Sequence, residues 1–104
     1  MSSFRLIITM SARIDIENSA EWYSLQKDNL ERDFLQEIEN TINNIASNPY
    51  QYFQILKNIR RANVNRFPFS IFFSILGNEI IIFSVFHQSR NPLKWKEKLK
   101  DLNI

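Results

Sequence analysis

The chain has 104 residues, 44% hydrophobic and 23% charged, with a formal net charge of +2, which fits one globular domain over residues 1–104 with a single core. It has no cysteine and one histidine, His87, so disulfides, thiolate chemistry and multi-histidine metal centres are excluded. Its single glycine, Gly77, excludes the Gly-rich loops that bring backbone N–H groups onto phosphates; neither a cofactor nor a metal is expected.

The opening MSSFRLIITM holds an apolar run of only Leu6 to Ile8 before Thr9. That is far short of a signal peptide, and no stretch is long enough to span a bilayer, so a cytoplasmic location without a membrane partner is expected. Phe4, Leu6 and Ile8 alternate with Arg5, Ile7 and Thr9, which predicts a short first strand. Ser11 is the expected cap of a first helix, in which Ala12, Ile16, Ala20 and Tyr23 recur at helical spacing. After the polar turn Lys27-Asp28-Asn29, a second stripe runs through Leu30, Phe34, Ile38, Ile42 and Ile45. It should stop before Pro49, because the residue preceding proline is pushed out of the helical region. Two antiparallel helices joined by a short turn follow.

Beyond Pro49 the pattern becomes β-like. Ile59 to Val64 is a predicted strand, separated by Asn65-Arg66-Phe67-Pro68 from Phe69 to Leu76 and Glu79 to Phe86. The last two flank Gly77-Asn78, which suits a two-residue hairpin turn with glycine first. That turn sets Leu76 opposite Glu79 and Ile75 opposite Ile80. With strict alternation, Phe69, Ile71, Phe73, Ile75, Ile80, Ile82, Ser84 and Phe86 share the face the helices should cover. Ser70, Phe72, Ser74, Glu79, Ile81, Phe83, Val85 and His87 share the more open one. A final helix is expected from Asn91, with Pro92 at its first position and Trp95, Leu99 and Leu102 along one side. The fold class is therefore α+β: an N-terminal strand, a helical hairpin on one face of an antiparallel sheet of about four strands, and a short C-terminal helix.

Charge is unevenly spread. Residues 1–56 carry four basic and eight acidic side chains, net −4, and residues 57–104 carry nine and three, net +6. A basic half points to a polyanion or an acidic protein as partner. Lys94, Lys96, Lys98 and Lys100 suit a solvated helix surface, whereas Arg60, Arg61, Arg66 and Arg90 sit among apolar, strand-like residues. Arg60 and Arg61 are adjacent in a strand, so only one of them can face the open side.

Several short motifs occur in a recognisable order: Ala12-x-x-Asp15-Ile16, Trp22-Tyr23, Asn48-Pro49-Tyr50-Gln51-Tyr52, Ile59-Arg60-Arg61, Arg66-Phe67-Pro68-Phe69 and Phe86-His87-x-x-Arg90-x-Pro92-x-x-Trp95. Together they resemble the RelE/ParE superfamily of toxins from bacterial type II toxin–antitoxin pairs, and within it the ParE-like, plasmid-stabilisation type. The resemblance implies a cognate antitoxin protein, forming a toxin–antitoxin hetero-oligomer. It also implies one of two targets, since ParE-like members block DNA gyrase and RelE-like members cut messenger RNA on the ribosome.

For a gyrase inhibitor, the expected target-binding residues are Arg60, Arg61, Arg66, His87, Arg90 and Trp95. For a metal-independent endoribonuclease, His87 would carry a proton, and Arg90 and Arg61 would steady the charge developing on phosphate. RNA-cleaving relatives often carry a tyrosine near the C-terminus. This chain ends Asp101-Leu102-Asn103-Ile104, and Tyr23, Tyr50 and Tyr52 all lie in its acidic half. The leading expectation is thus a ParE-like growth inhibitor, with the ribosome-dependent nuclease second and a member that only binds its antitoxin third. The antitoxin is expected to be acidic, to cover the +6 half, and to bury exposed apolar surface at Phe72, Phe83, Trp95 and Leu99.

Overall fold

The computed structural model describes residues 3–89. Arg90, Trp95, Leu99 and the helix expected from Asn91 lie outside the described residues. The first strand, β1 (Arg5–Ile8), passes directly into α1 (Met10–Ser24). The cap is Thr9, not Ser11: Thr9 is extended and its Oγ1 accepts the Ala12 N–H at 3.2 Å. Thr9 also donates its own N–H to the Ile82 carbonyl at 3.0 Å. One residue therefore ends the strand ladder and satisfies a helix N-terminal donor, leaving Ser11 inside the first turn.

The second helix, α2 (Leu30–Ser47), starts after Asn29 in the left-handed region at φ 69 and stops two residues before Pro49, as the proline requires. A 3-10 turn over Pro49–Gln51 then leads into β2 (Phe53–Leu56), β3 (Ile59–Asn63), β4 (Phe69–Leu76) and β5 (Glu79–His87). These form a five-stranded sheet in the order β1-β5-β4-β3-β2. It is mixed rather than purely antiparallel, because β1 pairs with β5 in parallel through Leu6↔Ile80 and Ile8↔Ile82. The helical hairpin together with β2, β3 and β4 makes the long connection that a parallel pair needs. The fifth strand, β2, is the edge strand that the sequence pattern did not reveal. It has four residues and an irregular register, and the turn after it uses Asn58 at φ 67 instead of glycine.

The helices cover one face. Phe34, Ile38, Ile42 and Ile45 of α2 and Ala12, Ala20 and Tyr23 of α1 pack with Phe69, Ile71, Phe73, Ile80 and Ile82 in the main core. At its centre the rings of Tyr23, Phe34, Phe67 and Phe69 lie with centroids 5.0–6.1 Å apart, mostly tilted or edge-on, the arrangement that aromatic quadrupoles favour. Phe67 comes from the loop before β4. Arg66 at φ 70 turns the chain so that Phe67 enters the core while Arg66 points out.

The β4–β5 hairpin follows the expected register from Leu76↔Glu79 through Phe73↔Ile82, and then slips: Phe72 pairs with Ser84, Ile71 with Val85, Ser70 with Phe86 and Phe69 with His87. Phe83 is the extra residue of a β-bulge. The slip inverts the expected faces at the end of β5. Val85 joins the main core, while Phe86 moves to the opposite face against a second small cluster of Ile59, Phe72 and Phe83. His87 is carried to the helix side of the sheet, its ring edge-on to Phe69 with centroids 5.1 Å apart. The expectation that His87 shares a face with Phe72 and Phe83 is thereby corrected. Strict alternation would have pressed the Ser84 hydroxyl into the main core and left Val85 outside; the bulge avoids both.

One side chain from α1 holds this arrangement. The Asp15 carboxylate accepts the Val85 N–H at 3.0 Å and lies 3.5 Å from Ser84 Oγ. Asp15→Ala leaves a buried backbone donor without that acceptor and should lower unfolding stability by about 1–3 kcal/mol. Asp15→Asn, which keeps an oxygen there, should lose less. The urea midpoints of the two variants check this.

Candidate functional site

At the end of the open face, Arg61, Ser70, Phe72, Phe86, His87 and Gln88 line a small cleft. Its floor follows from the register. Arg61 pairs with Phe72 across β3–β4, and Asn63 with Ser70, so Arg61 and Asn63 share the face of Phe72. Arg60 pairs with Phe73 and therefore projects to the helix side. Arg61 is the arginine that faces the open side. It is half-buried, and no ion pair or hydrogen bond holds its guanidinium among the described residues.

The other wall is a polar network that the sequence did not single out. Ser70 Oγ donates to Asn63 Oδ1 at 2.9 Å. The Gln88 amide nitrogen lies 3.3 Å from Asn63 Oδ1 and from the Phe69 carbonyl, and 3.4 Å from Ser70 Oγ. The Gln88 backbone N–H donates to the Pro68 carbonyl at 2.7 Å. Gln88 thus ties the end of β5 to the start of β4 and holds the residues beside it. His87 Nδ1 accepts the Ser89 backbone N–H at 3.2 Å. That bond uses the Nδ1 lone pair, which in a neutral ring puts the proton on Nε2.

The remaining predicted site residues do not converge on the cleft. Arg66 makes ion pairs with Asp33 at 3.5 Å and Glu37 at 4.0 Å and lies over the Phe67 ring at 5.7 Å; it braces the loop against α2. Arg60 donates from Nη1 to the Tyr52 carbonyl at 2.7 Å and stacks on Tyr50 at 5.3 Å. Phe72 and Phe83 are only 2% and 7% exposed, so they are not the exposed apolar surface expected of them. They support the cleft from within. Tyr23 lies in the main core, and Tyr52 packs edge-on to Phe73 on the helix side. Among the described residues no tyrosine lines the cleft, and no group of histidine, aspartate or glutamate is placed to hold a metal ion. No helix among them is long and apolar enough to cross a membrane.

Residues 6–92 match the family model described as "ParE toxin of type II toxin-antitoxin system, parDE". The chain belongs to the ParE toxin family. Among solved structures it resembles a chain from the chromosomal ParDE TA system of P. aeruginosa, with a TM-score of 0.67 and 21% identity over 81% of this chain and 95% of that one. At that identity the likeness shows a shared fold. Comparison with curated proteins gives no match. On this ParE-family fold, the open-face cleft brings together the Phe72 and Phe86 rings and an arginine that has no ion pair among the described residues, with His87 at its edge.

The division of the arginines and the burial of Tyr52 can both be tested on stability. Arg61→Ala should leave unfolding stability within about 0.5 kcal/mol, whereas Arg60→Ala, which strips the Tyr52 carbonyl of a charged donor, should cost about 1–2 kcal/mol; denaturant titration separates them. Burial raises the Tyr52 phenol above its ordinary 10.0, so the folded state keeps a proton that the unfolded chain releases first. Its contribution is complete below pH 10 and is lost as pH rises beyond it. Tyr52→Phe should flatten the fall of stability with pH between 10 and the folded-state value, as thermal melts across that range would register.

Proposed function

We propose that this ParE-family chain inhibits growth by binding DNA gyrase through the cleft end of its open face, and that a cognate antitoxin neutralises it in the cytoplasm. The observation that carries this reading is the composition of the cleft. An arginine with no acidic partner among the described residues and the Phe86 ring, with His87 at the edge, make a surface suited to binding an acidic or phosphate-bearing partner. RNA cleavage needs a base, an acid for the leaving oxygen and cations for the phosphate. Among the described residues the one imidazole at the edge of the cleft leans against Phe69 with one of its nitrogens engaged by Ser89, and no tyrosine lines the cleft to take the second role. Arg90 and Trp95, expected from the sequence to extend this surface, enter the proposal as further target contacts.

The antitoxin of this reading is acidic. It covers the basic half of the chain, with Trp95 and Leu99 as apolar contacts and Phe72 and Phe83 as the buried support beneath, and it forms a hetero-oligomer with the toxin. Neutralisation then amounts to occupying the surface that gyrase would meet, so an antitoxin and gyrase compete.

A gyrase supercoiling assay tests the reading. The wild-type chain should inhibit supercoiling, Arg61→Ala should raise the inhibitory concentration about tenfold, the cost of losing one central charged contact worth about 1.4 kcal/mol, and a translated message should stay intact. New 5′ ends within translated codons that disappear with His87→Ala would replace this reading with a ribosome-dependent nuclease.

A further inference from the structure

A second hollow lies on the other face of the sheet, at the end where the β2–β3 and β4–β5 turns meet. Tyr50, Gln54, Asn58, Arg60, Ile75 and Gly77 line it. Arg60 forms its charged floor: half-buried, it gives one Nη1 hydrogen bond to the Tyr52 carbonyl at 2.7 Å and lies over the Tyr50 ring at 5.3 Å. A guanidinium has five N–H donors, so this contact leaves most of the fork to be used. Among the described residues no acid compensates it: the ion pairs there are Arg5 with Glu79 and Arg66 with Asp33 and Glu37, and no carboxylate lines the hollow.

The surroundings indicate what kind of anion fits. Tyr50, itself steadied edge-on by Phe4 with centroids 6.1 Å apart, is 59% exposed. A nucleic-acid backbone is tracked by several cations, one for each phosphate neutralised. This hollow has a single guanidinium with the Tyr50 ring and Ile75 beside it, and neutral amides from Gln54 and Asn58. Gly77, at φ +60, has nothing within 4 Å of where a Cβ would stand, so the mouth is open on that side.

We propose that this hollow is a docking site for a carboxylate side chain flanked by apolar residues, presented by a segment of another protein. The carboxylate takes the Arg60 N–H groups that Tyr52 leaves unused, in the two-pronged geometry that guanidinium and carboxylate share. The neighbouring apolar side chains cover Tyr50 and Ile75. The site lies on the opposite side of the sheet from the Arg61–His87 cleft, and it stands whether or not gyrase is the target.

The test is an NMR titration of the full chain with acetyl-Leu-Glu-Leu-amide and with its glutamine counterpart. The glutamate peptide should move the Arg60 Nε–H, Asn58 and Gly77 signals in a saturable way, and the glutamine peptide should bind at least about tenfold more weakly, as expected for losing a charged hydrogen-bond partner. Arg60→Gln should abolish the difference between the two peptides. Tyr50→Ala, a change at an exposed ring that leaves the core intact, should weaken the glutamate peptide several-fold. Equal binding of the two peptides, or an undiminished preference in Arg60→Gln, would overturn the proposal. So would a glutamate peptide that leaves these signals unmoved while a single-stranded oligonucleotide, or simply a higher concentration of the chain itself, shifts them. Those last results would assign the hollow to nucleic acid or to a second copy.

Discussion

Where β1 stops at Ile8, β5 runs on to His87, and the Val85 N–H on that edge meets the Asp15 carboxylate of α1 at 3.0 Å. This side chain substitutes for a missing strand. A buried backbone donor must find an acceptor, and the nearest element at that point is a helix, whose own carbonyls are already committed to its ladder. A carboxylate reaching down from α1 solves the problem, and it fixes the height at which α1 sits on the sheet. The bulge at Phe83 lies beside it. Together they determine which side of the sheet each residue from Ser84 to His87 occupies.

The two faces of the molecule depend on that choice. With the bulge, Val85 completes the helix-side core, Phe86 closes the small cluster on the open face, and His87, leaning against Phe69, lines the edge of the cleft with Gln88. The arginines are sorted by the same alternation on β3. Arg61 faces the cleft with no acidic partner among the described residues, Arg60 lies over Tyr50 on the far side, and Arg66 is held by the acids of α2. A sequence with a basic half therefore folds into a chain whose described cations do different things in different places. Membership of the ParE toxin family gives the open-face cleft its functional interest, and the fold explains why only part of the basic character reaches it.

Much of this was legible from the residues alone. The helical stripes Ala12–Tyr23 and Leu30–Ile45 identified both helices, Pro49 marked the end of the second, and Gly77-Asn78 set the hairpin and its first four pairs. What escaped has local physical causes. A bulge leaves no signature in a strict alternation, although the misplaced Ser84 and Val85 were a hint: a hydroxyl assigned to the core and a valine assigned to the open side are each costly. The edge strand β2 is too short to show a period, and Asn58 turns the chain where glycine would have announced a turn. Thr9 won the cap from Ser11 because it also closes the β1–β5 ladder, a long-range bond that local patterns do not contain. In the site, Arg61 and His87 were recognisable by type, while Ser70, Asn63 and Gln88 act through a network across three strands. Phe72 and Phe83 were expected at the surface because alternation assigns a face but says nothing about how much of it is covered.

The arrangement at the end of β5 can be seen directly by proton–proton contacts in solution. A NOESY spectrum should show the His87 ring protons against the Phe69 ring, the Phe86 ring against Phe72, and the Val85 methyls against the helix-side core. Contacts of His87 with Phe72 and Phe83, with Val85 beside them, would mean an unbroken register and would contradict the placement of Val85 and His87 on the helix side and Phe86 on the open one.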